Sequence, residues 1–165
     1  MAHSSYSPSL LDISGLEQLS AARVGIVYTE WNEAIVTEQR NGAYRIAQQT
    51  GAVITHEIAV PGSIELPFAC KHLIEHTDDQ NGPQALIAFG AVIRGGTPHF
   101  DYVCKAVTEG IMHLNVHKNI PVIFGVLTLE DEKQAWERLG GALGHKGEEA
   151  MITALKMIRL RQMPL

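Results

Sequence analysis

The chain is poor in cysteine, lacks any run of basic residues and has no long apolar stretch. Only Cys70 and Cys104 occur among its 165 residues. They stand far apart, without a CxxC or a Cys/His metal spacing, so two reduced structural thiols are expected and no metal site. Lys and Arg are scattered and the net charge is -5, which excludes nonspecific nucleic-acid binding as a purpose. No apolar run reaches the roughly 18 residues of a membrane span. The opening MAHSSYSPSLLDISG has no basic region followed by an apolar one, so no secretory signal is expected and a cytoplasmic location is. Neither a GxSxG elbow, a Walker loop nor a GxGxxG fingerprint is present, which removes the common nucleophile and dinucleotide motifs.

What is present is a repeated alternation of short apolar runs and amphipathic segments. Residues 1–22 have little periodicity and read as a loosely ordered arm, able to add a strand to a neighbouring subunit. Residues 23–165 read as one domain. Its strands are expected at 23–28 (RVGIVY), 52–60 (AVITHEIAV), 85–93 (ALIAFGAVI) and 121–127 (PVIFGVL). Helices are expected at about 32–50, 63–76 with Ser63 as cap, 100–118, 130–139 capped by Thr128, and 148–161. The stretch 140–147 (GGALGHKG) reads as a loop. Strands apolar throughout and alternating with helices predict a parallel sheet covered on both faces, a flavodoxin-like three-layer α/β/α sandwich with four strands.

Ligands in such folds bind at the carboxyl ends of the strands. Those ends carry Trp31, the segment 63–65, the segment 93–99 and Leu127-Thr128. Gly95-Gly96-Thr97, beside Arg94 and Pro98, is either a plain turn or a cradle in which backbone N–H groups and a hydroxyl meet a phosphate. His99 is either a proton carrier or a helix-start histidine bonded to Asp101. Trp31 is either core or a stacking face for a flat heterocycle. Glu65 either binds a ligand N–H or serves the helix dipole. Arg138 and Lys146, taken alone, read as solvated surface.

Five segments in this order carry a resemblance: Trp31-Asn32-Glu33, VPGSIELPFACKHL (60–73), FGAVIRGGTPHFDYV (89–103), PVIFGVLT (121–128) and QAWERLGGALGHKGEEA (134–150). Together they closely resemble the 6,7-dimethyl-8-ribityllumazine synthases, over roughly residues 24–160. The resemblance implies condensation of 5-amino-6-(D-ribitylamino)uracil with 3,4-dihydroxy-2-butanone 4-phosphate, without cofactor or metal. It implies His99 as the proton-transfer residue. Trp31, Ser63, Ile64, Glu65, Ala91, Val92 and Ile93 would hold the pyrimidine and ribityl chain, with Phe124 arriving from an adjacent subunit. Gly96, Thr97, Arg138 and Lys146 would hold the phosphate.

Many relatives carry Phe where this chain has Trp31, so measurable binding of oxidised flavins is expected here. The resemblance also implies a homo-oligomer, a pentamer. The short Gly-rich stretch 138–146 favours the 60-subunit icosahedral shell, with riboflavin synthase as a candidate partner. A flavin-binding module without turnover and a purely structural shell protein are the alternatives. Both are disfavoured by the joint presence of His99, Thr97, Arg138 and Lys146.

Overall fold

A computed structural model describes residues 11–78 and 80–164. Its elements in chain order are β1 (Arg23–Thr29), α1 (Glu33–Thr50), β2 (Val53–Val60), α2 (Leu66–His76), β3 (Ala85–Ile93), α3 (His99–His117), β4 (Val122–Leu129), α4 (Glu132–Glu137), β5 (Leu139–Gly141), β6 (Gly144–His145) and α5 (Lys146–Gln162). The four long strands form one parallel sheet in the order β2-β1-β3-β4. Among the described residues no helix is long and apolar enough to cross a membrane.

The three layers follow from the period of two in β3, the most buried strand. Ala85, Ile87 and Phe89 join Val24 and Ile26 against Val36, Ile46, Met151 and Leu155 of α1 and α5. Leu86 and Ala88 point the other way, with Val27, to Leu66, Leu73, Val107 and Ile111 of α2 and α3. With both faces covered there is no polar alternation to read in this strand. A third cluster lies towards the carboxyl ends of the strands, where Ile35, Ala91, Leu127, Leu129, Ala135 and Leu139 meet.

Several boundaries differ from expectation for identifiable reasons. Thr128 is not a helix cap. β4 continues to Leu129, pairing Thr128 with Val92, and Asp131 caps α4 by accepting the Gln134 N–H at 2.9 Å. Ser63 does not cap α2 either; Ser63–Glu65 form a 3-10 turn and α2 begins at Leu66, with Pro67 in its first turn. The expected loop over 140–147 contains the small antiparallel hairpin β5–β6. Of the arm, residues 1–10 and any strand they add to a neighbour lie outside the described residues. Residues 11–22 are not loose: Leu16 is fully buried, and Leu11, Ile13 and Leu19 pack on the α1/α5 core. Their apolar side chains have somewhere to go within the same chain.

Candidate functional site

Two loops shape one end of the sheet. After β1 the chain turns through Asn32, whose backbone is left-handed (φ 59°, ψ 44°), a conformation asparagine tolerates better than most residues. The Asn32 amide Nδ2 donates to the Ala91 carbonyl at 2.8 Å, tying this turn to the end of β3. The Glu30 N–H donates to Val60 O at 2.8 Å and binds the turn to the end of β2. Thr29 Oγ1 donates to the Trp31 carbonyl at 3.2 Å. With its backbone held, Trp31 projects outward and is 73% exposed, so it is not a core residue.

Across from it lies the 3-10 turn, entered through Gly62. A Cβ there would lie 3.2 Å from Glu65 Oε2 and 3.7 Å from Trp31 Cδ1. Ser63 is buried, while Ile64 and Glu65 are exposed. Between these loops lies an open cleft of about 570 Å³. Ala91, Val92 and Ile93 form its floor and Ser63, Ile64 and Glu65 one wall. Trp31 and Asn32 of the turn after β1, and His99 and Val103 of α3, complete its lining. Eight of the residues picked out in the sequence thus converge: Trp31, Ser63, Ile64, Glu65, Ala91, Val92, Ile93 and His99.

The loop before α3 has an electrostatic arrangement that differs from the expected cation-bearing turn. Arg94 Nε donates to Glu130 at 2.9 and 3.1 Å, and Nη1 donates to Asp101 at 3.2 Å. Its guanidinium lies 4.0 Å from the centre of the Phe100 ring. The hydrogen bond that Arg94 donates to Glu130, and after it the one to Asp101, raises the Arg94 pKa against the opposing effect of desolvation. Arg94 therefore braces the loop against β4 and α3, and two carboxylates balance its charge. Of the two readings of His99, the hydrogen bond to Asp101 is not formed among the described residues: Asp101 accepts from Arg94, and His99 opens α3 exposed.

Gly96 and Thr97 occupy the same exposed loop. A Cβ added at Gly95 or Gly96 would meet nothing within 4 Å, and neither glycine has positive φ. No contact within the described chain requires glycine at either position, and both residues are exposed.

Phe124, Arg138 and Lys146 are elsewhere. Phe124 is 42% exposed on edge strand β4 and, with Lys146, lines a separate groove of about 540 Å³ between β4 and α5. Arg138 ends α4 and donates from Nη1 to Gln134 O at 2.9 Å. Lys146 Nζ donates to Glu149 at 2.6 Å. The Lys146 N–H donates to the Arg138 carbonyl at 2.8 Å, so the two cations are neighbours at the base of the β5–β6 hairpin.

The thiols stand outside any such chemistry. Burial pushes Cys70 up to about 12, and desolvation, then the Asp101 charge, raises Cys104. A thiol so shifted is protonated at neutral pH and is a poor nucleophile. Sequence reasoning missed Asn32, whose signal was an Asn directly between a strand end and a helix start.

Comparison with known proteins shows the family. A family model described as 6,7-dimethyl-8-ribityllumazine synthase matches residues 21–162. A 6,7-dimethyl-8-ribityllumazine synthase of Porphyromonas gingivalis is 47% identical over 142 residues, 85% of this chain and 86% of the relative. One of Parabacteroides distasonis is 41% identical over 160 residues, covering 96% of this chain and 98% of the relative. One of Cutibacterium acnes is 44% identical over 146 residues, 87% of this chain and 84% of the relative. With a match of this extent and a strand-end cleft of this composition, the chain belongs to the 6,7-dimethyl-8-ribityllumazine synthase family.

Proposed function

We propose that this enzyme condenses 5-amino-6-(D-ribitylamino)uracil with 3,4-dihydroxy-2-butanone 4-phosphate to give 6,7-dimethyl-8-ribityllumazine, phosphate and water, the penultimate step of riboflavin biosynthesis. The observation that carries this is the strand-end cleft lined by both an exposed indole and the histidine that opens α3. The flat pyrimidine stacks on Trp31. Ser63, Ile64 and Glu65 hold its polar edge and the ribityl chain, over the floor of Ala91, Val92 and Ile93. The butanone phosphate lies at Gly96 and Thr97, with Arg138 and Lys146 neutralising its charge.

The chemistry needs positioning and proton transfer more than a strong nucleophile. An amine of the pyrimidine attacks the ketone and water leaves as the Schiff base forms. Phosphate leaves by elimination. The second amine then closes the ring with loss of water. His99, exposed to the cleft, carries protons between these steps.

Phe124 and Lys146 line a groove that shares no lining residue with the cleft, which supports a site completed by a second subunit. The exposed Phe124 of one copy then covers the cleft of the next and excludes water. The assembly is a pentamer. The tight hairpin, in which Gly141 pairs with Gly144, supports further packing into an icosahedral shell, in the cytoplasm and with riboflavin synthase as a candidate guest.

The test is to mix the two substrates and follow lumazine absorbance and fluorescence. Turnover slowed in His99→Ala, and a raised KM for the phosphate substrate in Arg138→Ala, are the expected results. Wild-type kinetics in both variants would remove these assignments, and no lumazine from the wild-type enzyme would remove the reaction.

A further inference from the structure

We infer that His145 is a positioning residue that holds Arg138 and Lys146 in place for the phosphate substrate, acting through the N-terminus of α5. The inference rests on the phosphate role proposed above for those two cations.

His145 stands one residue before Lys146 and directly opposite Leu139 in the β5–β6 hairpin. The residue is only 7% exposed and its side chain 8%. The Nδ1 atom accepts the Glu148 N–H at 3.3 Å and so caps α5. That bond needs a lone pair on Nδ1, which places the proton on Nε2. Nε2 in turn donates to Glu38 Oε1 on α1 at 3.1 Å. One neutral ring therefore joins the first turn of α5 to α1 through both of its nitrogens.

The surroundings are built around this ring. Gly42 of α1 lies where any Cβ would collide with the imidazole, and Gly147 lies where a Cβ would collide with the Gln39 backbone. Glu38 also accepts from Asn41 at 2.9 Å and from Arg45 at 3.1 Å, and Arg45 donates to Glu148 at 2.9 Å. Burial opposes the Glu38 charge, but the hydrogen bonds from Asn41, His145 and Arg45 outweigh it and hold the carboxyl below its usual range. Glu38 is thus a fixed anionic anchor on α1 for the Nε2–H. On the other strand Leu139 sinks into the cluster with Leu127 and Ala135. The hairpin base, and with it the Arg138 carbonyl that receives the Lys146 N–H, is pinned on one side by Leu139 and on the other by His145. Without the cap, the first turn of α5 has a bare N–H, and Lys146 starts that turn.

Three substitutions separate the two bonds. His145→Leu keeps apolar bulk and loses both. His145→Asn places Oδ1 where Nδ1 was and keeps the cap, but is too short to reach Glu38. His145→Gln reaches Glu38 and does not cap. Initial rates are measured with each substrate varied in turn, and Arg138→Ala and Lys146→Ala serve as controls. The expected result for His145→Leu and His145→Gln is a KM for the butanone phosphate raised about tenfold, with the KM for the pyrimidine unchanged. In His145→Asn most of that loss is restored.

A phosphate-substrate KM within twofold of wild type in His145→Leu, or His145→Asn no better than His145→Leu, overturns the inference. So does a parallel loss in both substrates, which marks general damage to the fold. If Arg138→Ala and Lys146→Ala themselves leave the phosphate-substrate KM unchanged, the phosphate assignment fails first and this inference with it.

Discussion

Replacing Trp31 by Ala separates binding from folding. The indole is 73% exposed, so about a quarter of its surface is covered within the chain. A fully buried aromatic of this size covers up to about 250 Å². A quarter of that, at ~25 cal/mol per Å², gives an upper limit of about 1.5 kcal/mol lost from the fold. Against a total of about 5–15 kcal/mol the protein stays more than ~99% folded at room temperature. Stacking of a base on an aromatic face is worth about 1–3 kcal/mol, which corresponds to about 5- to 150-fold in affinity. Trp31→Ala should therefore raise the KM for the ribitylaminouracil by that factor, with the KM for the butanone phosphate unchanged. If the stack is equally strong in ground and transition states, kcat is preserved. Trp31→Phe keeps an aromatic face and should recover most of the loss. Riboflavin fluorescence quenching, expected with wild-type protein, should weaken in Trp31→Ala. A pyrimidine KM within twofold of wild type in Trp31→Ala refutes the stacking argument, as does an equal rise for both substrates.

Other expectations follow from the same geometry. Gly96→Val should leave the melting curve unchanged, within about 0.5 kcal/mol, because its Cβ meets nothing within 4 Å. The same variant should raise the KM for the phosphate substrate, and unaltered kinetics would show that no ligand approaches this backbone. Gly110→Ala sets two effects in opposition. Helix propensity favours Ala by about 1 kcal/mol, but the new Cβ would lie 2.6 Å from Pro67 Cγ, and overpacking against a rigid ring costs about 1–3 kcal/mol. The clash should win, lowering stability in urea by about 1 kcal/mol; a stabilised variant would show that α2 and α3 separate freely. Glu75, hydrogen-bonded first by Lys118 and then by Lys71, is held down at about 2 from an ordinary 4.5. A depressed carboxyl stabilises the fold above its unfolded pKa and loses that contribution as pH falls through the folded value. The melting-temperature gap between wild type and Glu75→Gln should therefore be largest above pH 4.5 and close as pH approaches 2. A gap independent of pH contradicts the pairing. Since the pair is exposed, the gap is expected to be small.

The elements were legible where local chemistry alone decides them. The run 85–93 reads as a strand and is β3 to the residue, because apolar β-formers bounded by turn residues suit a doubly covered strand. Gly51 ends α1 with φ 74°, as its lack of a Cβ allows. Trp31, Ser63, Ile64, Glu65, Ile93 and His99 could be gathered in advance, since parallel strands deliver their carboxyl ends to one edge, whereas Ala91 and Val92 were implied only by the family resemblance. Boundaries failed where two local signals competed. Thr128 and Asp131 are both good caps, and only the continued pairing of β4 with β3 selects the second.

What tertiary structure alone decided is partnership between residues distant in sequence. The order β2-β1-β3-β4 is set by which strand each crossover lays beside which, and strand composition does not encode it. Arg94 looked like a free cation beside a glycine turn until Glu130, 36 residues away, was brought to it. His145, a loop histidine by sequence, becomes a buried link only because Glu38 and Gly42 of α1 lie against the start of α5. Residue types and their periods determine the pieces, whereas charge balance, burial and the assignment of a proton to one ring nitrogen depend on neighbours that exist only after the chain has closed on itself.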